Sequence, residues 1–171
     1  RPERAALGLL SLDNPLGAGV VLRWDIWSRA WAMVRDMPFT GVGLNTFPVV
    51  QTQFYPGVLL GPEAHAHQLW LQTAVDLGWP GVLALLWLLA AFGVSAVSAY
   101  RLAASSDLQA VLVGVVGGAA AFVVHGLVDT VTLGAKPVAA LFAMLGLAGA
   151  LERQGRTETE AGARPALPPD R

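Results

Sequence analysis

Two histidines and a glutamate lie within five positions of each other in the segment GPEAHAHQLWLQ, in a chain that is otherwise mostly apolar. Glu63, His65 and His67 are residue types that bind metal ions or exchange protons near neutral pH. If the segment is extended, both imidazoles share one face and could chelate a metal; in a helix they would point about 200° apart. The apolar spacing that follows predicts a helix starting near His67, and Glu63 is not an obvious third ligand. A metal site, a solvated loop and a general base are the alternatives.

The composition indicates an integral membrane protein. Of the 171 residues, 54% are hydrophobic and only 13% are charged, whereas about a quarter of the residues of a soluble domain are charged. The net charge is −1 and the basic residues are scattered, which argues against a nucleic-acid partner. The absence of cysteine excludes disulfides and thiolate metal sites. The chain starts without Met, so we expect a fragment of a longer protein, with 1–20 leading in from the missing part.

Three stretches are long enough to cross a bilayer, which requires about 20 apolar residues. They are 81–100, 108–128 and 130–151, and apart from Tyr100 their only titratable groups are His125 and Lys136. The glycines and prolines inside these runs are tolerated in membrane helices, where small residues allow close packing. The sequence therefore predicts an all-α membrane protein with three transmembrane helices within 80–151.

The distribution of basic residues predicts the orientation of these helices. Arg101 follows the first predicted span, and Arg153 and Arg156 follow the third, whereas 36–80 contains no Lys or Arg. Because basic residues favour the cytoplasmic side, we expect 21–79 to form an extracytoplasmic loop. The polar, Pro-rich segment 152–171 is predicted to be a disordered cytoplasmic tail.

Two helices are predicted within the extracytoplasmic loop. The first, RWDIWSRAWAMVRDMP, ends at Pro38, and its apolar stripe consists of Trp24, Trp27, Trp31 and Val34. Such a helix lies in the membrane interface or packs on other helices. The glycine-containing segment FTGVGLNTFP is predicted to be a turn-rich connector. A second helix runs from near His67 to Gly78, and GWPG breaks it before the first span.

The segments RWDIWSRAWAMVRDMPFTGVGLNTF and HAHQLWLQTAVDLGWPG together resemble the C-terminal half of the O-antigen ligase and polymerase family. The similar features are an Arg followed by Trp, a Pro before a Gly-x-Gly-x-x-x-Phe turn, and His-x-His opening a Leu-rich helix. HGLVDTVTLGAKPVAALFAMLGL resembles the closing membrane segments of the family. The resemblance covers about residues 20–150, and Gln68 stands where the family often has Asn.

This resemblance implies a GT-C-like membrane glycosyltransferase of surface polysaccharide biosynthesis, located in the cytoplasmic membrane with its active face outside. It implies inverting, metal-independent transfer of a glycan from an undecaprenyl diphosphate carrier to a lipid or glycan acceptor, without a cofactor and with membrane lipids as surroundings. His67 is then the general base, and Arg23 neutralises the departing diphosphate. Arg29, Arg35, His65 and Glu63 are further candidates for substrate binding. We expect the fragment alone to be inactive, because the missing helices would complete the carrier site.

His125 and Asp129 are spaced to form a pair on one helix face near the outer end of the second span, for which we favour a structural or loop-orienting role. Two functions other than transfer also fit a membrane protein. One is a transporter or channel subunit, which would place ionisable groups near the bilayer midplane, whereas here they cluster at the outer surface. The other is a scaffold fragment without activity.

Overall fold

The computed structural model of the protein describes residues 15–56, 65–129 and 136–163. Within these ranges the chain forms α-helices and no β-strand, which confirms the predicted all-α class. The helices are α1 (Pro15–Asp36), α2 (Phe47–Phe54), α3 (Leu69–Leu102), α4 (Ser106–His125) and α5 (Lys136–Ala163).

The chain divides into two compact units. The first unit contains Arg1–Leu85 and Val123–Val138, and the second contains Leu86–Phe122 and Ala139–Arg171. Helices α3 and α4 each contribute to both units. All the candidate site residues that the structure describes belong to the first unit.

Helix α1 packs one face into the core of the first unit. The buried residues recur at helical spacing and contact an apolar cluster; they are Ile26, Ala30, Met33 and Val34. Trp24 and Trp31 lie on another face and remain exposed. The predicted stripe is therefore divided, because ten positions turn the helix far enough to carry Val34 into the core. The helix ends at Asp36, before the Pro38 ring that cannot continue it.

Helix α2 begins in the last two residues of FTGVGLNTFP, the segment predicted to be a turn-rich connector, and continues to Phe54. Phe47 is completely buried, and Pro48 stands at the helix start, where its fixed φ and missing N–H are tolerated. The Thr46 hydroxyl contacts the carbonyls of Val42 and Gly43, each at 2.7 Å. This helix was not predicted, because eight residues give little periodic signal.

Helix α3 bends at Gly78, which confirms the predicted break in GWPG. The φ of 68° and ψ of −170° at Gly78 are not helical, and a Cβ there would lie 2.6 Å from the carbonyl oxygen of Pro38. Only glycine fits this conformation and this close approach. Pro80 follows within the helix and lacks the N–H that would extend the hydrogen-bond ladder.

The turn before α2 supplies the hydrogen bonds that the bend removes. The backbone N–H groups of Val42 and Gly43 donate to the carbonyls of Val75 and Asp76, at 2.7 and 3.1 Å. A Cβ on Gly41, which has a φ of 61°, would collide with the backbone of Asp76. The Gly-x-Gly turn is therefore the cap for the first part of α3, since unpaired helix carbonyls are costly when buried.

Helices α3 and α4 are each long and apolar enough to cross a membrane. Few of their apolar residues are buried, and large side chains such as Leu83, Trp87, Val94 and Val113 are exposed. Such apolar surface is unusual for a soluble monomer and suits contact with lipid. The structure thus shows two candidate spans among the described residues.

The third predicted span is not confirmed. Its first part, 130–135, lies outside the described residues, and α5 is not among the helices that satisfy the requirements for a span. Helix α5 instead continues to Ala163, into the segment predicted to be disordered. Pairs spaced by four residues, such as Arg156 with Glu152 at 2.7 Å, support a helix on this polar stretch.

Candidate functional site

The histidine segment lies just before α3, in backbone that is not helical. The helix begins at Leu69, two residues after the predicted start, and His67 has a φ of 49°. This left-handed conformation brings the rings of His65 and His67 together, with centroids 4.2 Å apart and planes at 60°. His67 is therefore neither extended nor part of the helix, the two geometries considered from the sequence, yet the imidazoles converge.

His67 pairs with Asp129, which lies 62 positions later in the chain. The Nδ1 of His67 is 3.1 Å from an Asp129 carboxylate oxygen. The sequence suggested a pair between Asp129 and His125, but the nearest atoms of these two side chains are 3.9 Å apart, which is too long for a hydrogen bond. Sequence spacing favoured the local partner, and no local signal could show that the turn after α4 reaches the histidine segment.

The turn after α4 is fixed to the start of α3. The Leu69 N–H donates to the Gly126 carbonyl at 2.7 Å, and a Cβ on Gly126 would lie 2.8 Å from the Leu69 side chain. The Asp129 N–H donates to the His125 carbonyl at 3.0 Å, which closes the turn. The carboxylate of Asp129 is therefore presented to His67 by backbone contacts on both elements.

The peptide between the histidines is held from two sides. The indole N–H of Trp27 donates to the Ala66 carbonyl at 2.9 Å, and the Ala66 N–H donates to the side-chain oxygen of Gln72 at 2.7 Å. Ala66 itself is completely buried. The Gln68 side chain accepts the N–H of Leu71 at the helix start, so an amide at position 68 caps α3.

The three candidate arginines occupy different environments along α1. Arg23 is exposed and lies one helical turn before Trp27, on the face that meets the histidine segment. Arg29 is buried, and its guanidinium pairs with the Asp25 carboxylate at 2.8 Å. Arg35 is exposed in the last turn of the helix. Glu63, the remaining candidate, lies outside the described residues.

A cavity of about 740 Å³ opens beside the histidine segment. Five of the six tryptophans of the chain line it: Trp24, Trp27, Trp31, Trp70 and Trp79. Trp31 and Trp79 meet edge to face, with ring centroids 6.2 Å apart. The polar side chains on its wall are Ser28 and Gln68, both of which bond to the backbone. The cavity therefore offers a mainly apolar, aromatic surface.

The comparisons with known proteins identify the segment that carries this geometry. The sequence model of the O-antigen ligase family matches residues 11–86. No curated protein and no solved structure matches the chain.

Residues 11–86 are therefore similar to the O-antigen ligase family. The resemblance predicted from the motifs is thus confirmed. The match, together with the two apolar helices, supports a membrane protein with a glycosyltransferase-like role in polysaccharide biosynthesis.

The O-antigen ligase match contains most of the candidate site. Arg23, His65 and His67 lie within it, whereas Asp129 lies beyond its end. The acidic partner of His67 thus lies outside the family match, in the segment HGLVDTVTLGAKPVAALFAMLGL that resembles the closing membrane segments of the family.

The histidine cluster also has the composition of a metal site. Ligand atoms of His65, His67 and Asp129 lie within 4.8 Å of one another. Two imidazoles and a carboxylate form the protein ligands of several catalytic zinc sites, at bond lengths of about 2.0–2.2 Å. Such bonds require ligand atoms about 3.3 Å apart, so binding would draw this cluster closer together. The sequence offered no obvious third ligand near Glu63. In the structure, Asp129 is the third candidate ligand.

Proposed function

We propose that the protein is a glycosyltransferase that moves a glycan from an undecaprenyl diphosphate carrier to an acceptor hydroxyl at the outer face of the cytoplasmic membrane. The observation that carries this proposal is the 3.1 Å contact between His67 and Asp129, in a chain with an O-antigen ligase domain. An imidazole held by a carboxylate is a common arrangement for removing a proton from a hydroxyl group.

His67 acts as the base in this reaction. When its Nδ1–H donates to Asp129, the ring carries its lone pair on Nε2, the atom that takes the acceptor proton. The acceptor oxygen then forms a bond to the anomeric carbon of the glycan as the bond from that carbon to the diphosphate oxygen breaks. A single displacement of this kind inverts the anomeric configuration. A positioned base contributes typically 10²–10⁴-fold in rate.

Arg23 stabilises the charge that develops on the departing diphosphate. Its exposed guanidinium lies a turn before Trp27, and Trp27 holds the peptide between the two histidines. A planar guanidinium grips two phosphate oxygens at once, whereas the ammonium of lysine acts as a point charge. Arg29 is engaged with Asp25 and is the less suitable of the two for this role.

The role of Arg23 is tested by glycan transfer from a lipid diphosphate donor, measured in membranes that contain the full-length protein. Arg23→Lys should retain the positive charge but lose the paired hydrogen bonds of the guanidinium, and so partly reduce glycan transfer. Arg23→Ala should reduce transfer further. Arg35→Ala, which removes another exposed arginine of the same helix, is the matched control and should have little effect. If Arg35→Ala is the more damaging change, the diphosphate lies at the other end of α1.

The transfer proceeds without a metal in this proposal, and the cluster of His65, His67 and Asp129 makes that a point to test. Transfer should persist when the membranes are treated with a strong chelator and washed. Loss of transfer on chelation, with recovery on adding Zn²⁺, would show that His67 is a metal ligand and not the base. In that case a metal-bound water or acceptor hydroxyl would be the activated group.

The site faces the outside of the cytoplasmic membrane in this proposal, because the loop that carries it lacks Lys and Arg from 36 to 80. The chain has no cysteine, so a single cysteine at the exposed Gln53 reports one position. A membrane-impermeant thiol reagent should label Gln53→Cys in intact cells stripped of their outer membrane. Labelling only after the membrane is permeabilised would show that Gln53 lies on the cytoplasmic side, opposite to the proposed orientation.

A further inference from the structure

Two buried polar residues of α3 lie next to the histidine segment and form one chain of hydrogen bonds with it. Gln72 and Asp76 are each only 3% exposed and stand one helical turn apart. The side-chain N–H₂ of Gln72 donates to the Asp76 carboxylate at 2.8 Å. The side-chain oxygen of Gln72 accepts the backbone N–H of Ala66 at 2.7 Å. These hydrogen bonds thus connect Asp76 to the peptide between the two histidines.

The direction of these hydrogen bonds is fixed by Asp76. A glutamine amide has a donor end and an acceptor end, whereas an ionised carboxylate only accepts. Asp76 therefore holds the N–H₂ of Gln72 and turns its oxygen toward the Ala66 N–H. The neighbouring Thr73 is also buried, but its hydroxyl donates to the Leu69 carbonyl of its own helix and does not reach the histidine segment.

The Ala66 peptide needs to be held because His67 is in a left-handed conformation, with a φ of 49°. Such a conformation costs a residue with a side chain about 1–2 kcal/mol. Trp27 fixes the carbonyl of Ala66 and Gln72 fixes its N–H. Burying an amide and a carboxylate is also unfavourable compared with an apolar pair of the same volume. Packing of the core alone therefore does not explain why Gln72 and Asp76 are polar.

We propose that Gln72, oriented by Asp76, is a positioning residue that holds His67 in line with the acceptor hydroxyl. This role rests on the proposed function, since it assigns Gln72 to the step in which His67 takes a proton. Neither residue touches the substrate, so their loss should lower kcat for glycan transfer more than it raises KM. Misplacing a reacting group by about 1 Å can cost about a hundredfold in rate.

The direction of the hydrogen bond between Gln72 and Asp76 can be reversed by substitutions in the full-length protein. Gln72→Glu keeps an oxygen for the Ala66 N–H but sets two carboxylates against each other, and kcat should fall roughly tenfold to a hundredfold. Adding Asp76→Asn supplies a donor to the new glutamate, and the double variant should recover most of kcat. Thr73→Val is the control, because it removes a buried hydrogen bond of the same helix; it should lower thermal stability and leave kcat near the wild-type value.

Recovery of kcat in Gln72→Glu/Asp76→Asn, measured per amount of folded protein in the membrane, would support the positioning role, because a defect of folding alone lowers the amount of folded protein and not its kcat. Wild-type kcat in Gln72→Glu, or a double variant no better than that single change, would overturn it. If Gln72→Glu does not accumulate in membranes, Gln72→Met tests the same point by removing both hydrogen bonds at similar volume, and wild-type kcat there would overturn the role. Activity in His67→Ala would instead refute the proposed function, so the two failures are distinguishable.

Discussion

The two compact units of the chain bury different kinds of residue. Among the described residues, the buried polar and charged side chains all belong to the first unit: Arg29, Gln51, Gln72, Thr73 and Asp76. The second unit buries small and branched apolar side chains, among them Ala96, Ala99, Leu112, Val115 and Ala148. Among the described residues, the first unit therefore combines an apolar core with buried polar groups, and the second unit buries apolar side chains.

The contrast extends to the glycines. In the first unit, Gly41, Gly43 and Gly78 have positive φ, and at Gly78 another backbone approaches too closely for a Cβ. In the second unit, Gly93 is helical and has no neighbouring atom within 4 Å of a built Cβ. Buried polar groups and left-handed residues are costly unless the structure uses them. Their concentration in the unit that contains His67 indicates that the first unit is shaped for a site, whereas the apolar second unit suits packing in a membrane.

The largest expected effect separates the two kinds of glycine. Gly78→Ala should destabilise the protein by about 2–5 kcal/mol, from the left-handed backbone and the overlap with Pro38. Gly93→Ala should be neutral or stabilise by up to about 1 kcal/mol, because alanine favours a helix. The measurement is the thermal unfolding of each purified variant in detergent. Equal losses at the two positions would remove the distinction between the units.

The buried ion pair of α1 gives the next effect. Arg29→Ala would leave the Asp25 carboxylate without its partner at 2.8 Å, and should cost on the order of 1–3 kcal/mol. From the sequence, Arg29 was a candidate for substrate binding; the structure gives it a partner within its own helix. We therefore expect lower thermal stability with an unchanged KM for the donor. A raised KM for the donor at unchanged thermal stability would show that Arg29 binds the substrate.

The smallest expected effect is a pH dependence centred on Asp76, which precedes the bend and the predicted span 81–100. Burial raises the pKa of Asp76 from 3.8 to about 6, against a smaller lowering by the hydrogen bond from Gln72. The folded protein therefore binds a proton more tightly than the unfolded chain, and stability should fall as pH rises from about 4 to about 6. The upper bound of this change is about 3 kcal/mol, reduced by solvent screening.

Asp76→Asn removes the titrating group and should flatten the dependence of thermal stability on pH across that range. Thr73→Val keeps Asp76 and should preserve the slope at a lower overall stability. A slope that persists in Asp76→Asn would assign the dependence to other groups.

The sequence predicted those features whose cause is local. The helix before Pro38, the break at GWPG and two apolar helices follow from proline geometry and from runs of apolar residues, and the structure has all three. The family motifs predicted the O-antigen ligase match. Helix α2 was missed because it is short, and the continuation of α5 to Ala163 was missed because polar composition was interpreted as disorder.

The candidate site was harder to predict because its contacts are distant in sequence. Asp129 reaches His67 across 62 positions, and Trp27 reaches Ala66 across 39. Asp129 also has a local partner four positions away in His125, at 3.9 Å, so spacing alone could not show that His67 is the nearer partner. Gln72 and Asp76 gave no signal at all, since a polar residue on a helix is expected to face solvent until the packing around it is known.

The most direct test of the central claim compares the two histidines near Asp129. His67 lies 3.1 Å from the carboxylate and His125 lies 3.9 Å from it, so His67→Ala and His125→Ala remove the same chemical group on either side of one acid. Glycan transfer from the lipid diphosphate donor is measured in membranes with equal amounts of each full-length variant. We expect a loss of at least about 100-fold for His67→Ala and most of the activity retained for His125→Ala. Near-normal transfer by His67→Ala, or the larger loss in His125→Ala, would contradict it.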